Sequence, residues 1–179
     1  MKKHYNLKKM VLSALFLAIA YVLPFLTGQV PEIGAMLCPL HIPVLLCGFI
    51  CGWPWGLLIG VLAPLFRSFM LGMPPLFPTA VCMAFELAAY GAVSGWLHQK
   101  LPRKKLNVYL SLIIAMVLGR LIWGVAMLIC MGMTGGEFTF AAFLAGAVIN
   151  AIPGILVQLV LIPILVMILD NRKFLNLKD

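Results

Sequence analysis

Charge is what this sequence has least of. Only 10% of its 179 residues are charged, and five of those are acidic. A soluble domain carries about a quarter charged residues, so composition excludes an ordinary water-soluble fold. The chain also lacks G-x-x-x-x-G-K-[ST], and with it the usual phosphate cradle for ATP. It has neither H-E-x-x-H nor G-x-S-x-G, and no pair of aspartates at metal-binding spacing inside an apolar run. The five cysteines (Cys38, Cys47, Cys51, Cys82 and Cys130) form no metal pattern and read as small apolar packing residues. No catalytic residue, metal or cofactor is expected, and an intramembrane enzyme finds no dyad to support it.

What the chain does have is long apolar sequence: 64% of its residues are hydrophobic. The runs are continuous, as spanning helices require, and show no ten-residue alternating segments of the kind a membrane barrel would show. At about 20 residues per span, roughly six helices fit, so the expected fold is an all-α integral membrane protein with a single domain over residues 1–179. The spans fall at about residues 10–26, 40–50, 57–71, 79–96, 108–131 and 147–169, with a short helix at 138–146. Lysines precede the first run, but no small-residue cleavage site follows it, so it reads as the first span and not as a cleaved signal.

The net charge of +8 could suggest a nucleic-acid partner, but its distribution argues against one. Eleven of the 13 basic residues lie in the N-terminal flank (Lys2, Lys3, Lys8, Lys9), the loop at 98–105 and the C-terminal tail. With six spans these all fall on one side, which the positive-inside rule makes cytoplasmic together with both termini. The basic residues left over are Arg67 and Arg120.

A charge in hydrocarbon costs about 2.5–3.5 kcal/mol on insertion scales, so a function is the first hypothesis for it. Taking 1.5 Å per residue, Glu86 lies about 12 Å and Arg120 about 16 Å below the outer ends of their spans. Arg67 lies near the outer end of the third span, His41 at the outer start of the second, and Asn150 three residues into the sixth. These five form the candidate substrate site: Arg67, Arg120, Glu86, His41 and Asn150. The plainer reading stays open for each: Glu86 and Arg120 as a helix-joining ion pair, Arg67 snorkelling to the surface, His41 and Asn150 as structural polar groups. Two arginines against one glutamate leave one positive charge, which favours an anionic ligand such as a carboxylate. The Gly/Pro-rich connector at 72–78 reads as an outer lid.

In the first span, Ala14 and Ala18 lie at i,i+4 and offer a small-residue face for close helix packing, within the chain or with a partner. Six spans without a detectable inverted repeat suit a binding subunit driven by other chains better than a stand-alone transporter.

The sequence resembles the substrate-binding S components of bacterial energy-coupling factor (ECF) vitamin transporters. The likeness rests on the basic start followed by Leu-Ser-Ala-Leu-Phe-Leu-Ala-Ile-Ala, on Pro-Leu-His-Ile-Pro-Val-Leu-Leu-Cys-Gly-Phe at 39–49, on residues 56–77, and on Phe-Glu-Leu-Ala-Ala-Tyr-Gly at 85–91. It implies a subunit of the bacterial plasma membrane that binds a water-soluble vitamin near the extracellular side, under the loops after spans one, three and five. It implies a transmembrane T component and two ATPase subunits as partners, with Ala14 and Ala18 packing on the T component. The likeness is greatest to the pantothenate and pyridoxine group. The surplus arginine suits pantothenate; a pyridoxine-type vitamin, a queuosine precursor, or a structural subunit without ligand are the alternatives.

Overall fold

The computed structural model describes residues 2–27, 36–102, 104–136 and 138–171. Its helices are α1 (Lys2–Val22), α2 (His41–Cys51), α3 (Trp53–Leu71), α4 (Val81–Lys100), α5 (Lys105–Thr134), α6 (Phe140–Leu144) and α7 (Ile152–Asn171). A tight turn, Leu23–Thr27, extends α1, and wide helical turns at Leu76–Ala80 and Ala145–Ile149 lead out of the connections before α4 and α7. No strand occurs among the described residues. Glu32, Arg103, Glu137 and the basic tail lie outside them.

Among the described residues, five helices are long and apolar enough to cross a membrane. The segment expected as the second span is the short helix α2, 11 residues or about 16 Å, roughly half a hydrocarbon core of about 30 Å. It is sheathed by protein: nine of its residues are buried, His41 and Cys51 among them. The all-α membrane fold therefore stands, with five candidate spans among the described residues and a short buried helix where the second span was expected. Large apolar side chains also cover the outside, for example Val11 and Leu15 on α1 and Val117, Leu121 and Val125 on α5. Helices that are apolar both inward and outward are those of a membrane protein.

Helix boundaries run beyond the sequence-based expectation. The turn expected at 51–56 contracts to one residue, Gly52, at φ 98°. Only glycine takes that conformation at no steric cost, and Pro54 then sits in the first turn of α3, where its missing N–H loses nothing. The basic loop expected from 98 shrinks likewise: α4 continues to Lys100, with His98 and Lys100 in its last turn complementing the helix dipole.

Helix α4 is the centre of the bundle, packed against α2, α3 and α5. Its crossing with α3 is set by glycine. A Cβ on Gly91 would fall on the Gly56 carbonyl, and one on Gly60 on the Leu87 carbonyl. These contacts fix the antiparallel register of α3 on α4, with residue 56 opposite 91 and 60 opposite 87. Val44, Leu45, Leu87, Leu112 and Ile162 fill the core beside it without exposure.

Candidate functional site

Cys82, Glu86 and Tyr90 recur every four residues along α4 and so share one stripe of it. All three are buried, Glu86 to 1% exposure. A carboxylate at that depth needs partners, and two other helices supply them. From α5, Arg120 Nη1 stands 3.0 Å from Glu86 Oε1. From the first residue of α2, His41 Nε2 stands 3.3 Å from the same oxygen. The residues just before α2 add Cys38, whose φ of 48° is left-handed and whose sulfur lies 3.5 Å from Arg120 Nη2. The His41 backbone N–H donates to the Cys38 carbonyl at 3.0 Å, tying the two together.

Tyr90 closes the cluster from α4 itself. Its ring meets the His41 ring edge-on, with centroids 5.2 Å apart, and its hydroxyl interacts with Glu86. Gly119 makes room for it, because a Cβ there would fall on the Tyr90 ring. Two ring or side-chain nitrogens in this cluster, His41 Nδ1 and Arg120 Nε, are buried and have no hydrogen-bond partner among the described residues.

Arg67 is elsewhere. It is buried, 6% exposed, so it does not snorkel. Its Nη1 donates to the Tyr21 carbonyl at 3.2 Å, and its guanidinium lies 5.8 Å from the centre of the Phe25 ring. Tyr21 is the penultimate residue of α1, where backbone carbonyls lack intrahelical partners and a cation is favoured. The α3–α4 register puts Arg67 opposite about residue 80, roughly 9 Å along the axis from Glu86 toward the end where α3 finishes. No carboxylate pairs with it among the described residues.

Asn150 is a correction. Expected three residues inside a span, it is exposed in the turn before α7, its backbone N–H bonded to the Ala145 carbonyl at 2.9 Å. The wide turn Ala145–Ile149 delays the helix until Ile152, and Pro153 fits its first turn. Gln158 is buried on α7 with its Oε1 unpaired among the described residues. Ala14 and Ala18 are exposed on α1, while Ser13, Phe16 and Ala20 turn inward and Ser13 Oγ accepts from the Cys47 thiol at 3.5 Å. The small-residue face is thus on the outside of the bundle.

Of the five expected site residues, Glu86, Arg120 and His41 meet, Arg67 stands apart, and Asn150 lies exposed in the turn before α7. Cys38 and Tyr90 were not anticipated. Tyr90 carried a signal, its i+4 spacing from Glu86; Cys38 carried none, because a left-handed residue between helices leaves no periodic trace.

The family model described as "ECF transporter, substrate-specific component" matches residues 8–166. The chain belongs to that family. Comparison with curated proteins and with solved structures returned no match. An ECF S component is a substrate-binding part of an uptake system and not itself an enzyme; such components bind small molecules and work with T and ATPase modules. The Glu86 cluster of this S component lies at the same end of the bundle as Arg67 and the start of α2 and α4, so its polar groups are gathered toward one membrane face.

Proposed function

We propose that this S component captures pantothenate from the extracellular side of a bacterial plasma membrane, as a single domain over residues 1–179, and delivers it inward with a T component and two ATPase subunits. The observation that carries the reading is Arg67. A guanidinium has five N–H donors; this one is buried and spends one donor on a backbone carbonyl. Glu86 cannot balance it, because Arg120 already does. The pair and Arg67 together leave one positive charge in a low-dielectric region, which a carboxylate ligand would neutralise through two parallel hydrogen bonds.

Pantothenate has a carboxylate at one end and hydroxyls at the other, which suits a cation that no described carboxylate balances beside a charge-balanced cluster. Pyridoxine has no carboxylate to offer Arg67. A subunit without ligand is favoured by one feature only, the bond from Arg67 to the end of α1. Mass spectrometry of the small molecule retained by the purified chain separates these readings: pantothenate is expected, and its absence from a chain that also fails to bind added pantothenate would overturn the proposal.

A further inference from the structure

The Glu86 cluster is balanced in charge but incomplete in hydrogen bonds. Arg120 faces Glu86 at 3.0 Å, so one negative and one positive group cancel. The carboxylate can only accept, so the nearby His41 Nε2 carries its proton toward Glu86, and in the neutral ring the other nitrogen, Nδ1, then presents a lone pair. That lone pair is an acceptor, 98% of His41 is buried, and no described residue donates to it. On the neighbouring arginine the Nε–H is a donor in the same condition, while its two terminal nitrogens are occupied by Glu86 and Cys38. One unused acceptor and one unused donor therefore flank a single carboxylate.

Leaving such atoms unpaired in a buried site is costly, and the chemistry of a ligand group that relieves both is narrow. A further charge is disfavoured, since it would be desolvated beside a pair that already cancels. A group that only donates or only accepts would relieve one atom and not the other. We infer that His41 Nδ1 and Arg120 Nε together read a neutral hydroxyl of the substrate, which donates to the histidine and accepts from the arginine. The inference rests on the substrate-binding reading above and deepens it: Arg67 selects the charged end, and this cluster selects a neutral hydroxyl at the other, roughly 9 Å away along the helix axes. Tyr90 acts as a positioning residue. Its ring braces the His41 imidazole, and the missing Cβ of Gly119 lets it do so.

The test is equilibrium binding to the purified full-length chain with pantothenate, pyridoxine, and analogues of each lacking one hydroxyl at a time. The vitamin that binds should lose about 10- to 100-fold in affinity when one particular hydroxyl is removed. His41→Phe should bind that vitamin and that analogue about equally, while His41→Gln, which restores an acceptor, should recover part of the discrimination. If His41→Phe does not fold, the wild-type comparison decides alone. A vitamin bound no better than any of its deoxy analogues overturns the hydroxyl inference and leaves the Arg67 reading standing. If neither vitamin binds, the pantothenate proposal falls, and nitrogen NMR of the His41 ring then judges the inference by itself. A protonated Nδ1 overturns it, whereas a bare Nδ1 beside a protonated Nε2 supports the acceptor role.

Discussion

Arg120 and Glu86 form a buried ion pair, Nη1 to Oε1 3.0 Å, that ties the fifth helix to the fourth at the point where His41 also reaches the carboxylate. The pair answers one question and sharpens another. It explains two of the three charges that the sequence places deep in its apolar runs, and it leaves Arg67 as the one of the three whose charge no described residue balances.

Removing one partner of that pair should be worse than removing both. Arg120→Ala strands a fully buried carboxylate and is expected to cost about 3–5 kcal/mol. Glu86→Gln with Arg120→Gln should recover a large part of the loss. Thermal unfolding in detergent measures this, and additive effects of the two single changes would show that the pair is not energetically coupled.

Arg67→Ala is expected to weaken pantothenate binding by at least about tenfold, the usual scale for a lost charge-assisted hydrogen bond. Arg67→Lys keeps the charge but not the two-pronged geometry and should fall between. The variant also loses the bond to the Tyr21 carbonyl, worth about 1 kcal/mol, so stability and affinity must be measured side by side. A drop in melting temperature with unchanged affinity would assign Arg67 to the end of α1 alone.

Glycine positions separate into two kinds. A Cβ on Gly91 meets the Gly56 backbone, which cannot move without parting α3 from α4. A Cβ on Gly72 meets nothing, and only its φ of 68° resists substitution. Gly72→Ala should therefore cost about 1–2 kcal/mol, and Gly91→Ala distinctly more, by overpacking against rigid backbone. Equal unfolding temperatures for the two variants would contradict the close α3–α4 crossing.

Ala14→Trp and Ala18→Trp should leave the isolated chain folded, because both positions are exposed on α1. On the proposed assembly they should abolish co-purification with the T component. Ser13→Leu, one residue away but buried against Cys47, should instead destabilise the chain itself. Retention of the complex by both tryptophan variants would move the partner surface to another face.

Much of the molecule was legible in its sequence because the bilayer imposes a coarse rule. A segment that crosses must be apolar over its length and must satisfy its own backbone, so spans, their order and the misplaced charges stand out in one dimension. Boundaries were less legible. Helices α3 and α4 run past the breaks suggested by proline and lysine, because proline fits a first turn and cations fit a last one. Asn150 was misplaced for a related reason: apolar sequence around it reads as span whether or not its backbone has begun to coil.

By itself, the sequence determined the membrane class, the helical architecture, and which ionisable residues required partners, since the cost of a charge in hydrocarbon depends on residue type more than on neighbours. Only the tertiary structure decided who those partners are. Glu86 meets Arg120 and His41, and Arg67 does not join them, because the Gly56–Gly91 and Gly60–Leu87 contacts set the register of α3 on α4 and carry Arg67 past the cluster to the end of α1. Register and facing are properties of how helices touch, and residues 34 positions apart along the chain, such as Glu86 and Arg120, come to lie within a hydrogen bond only when that contact is made.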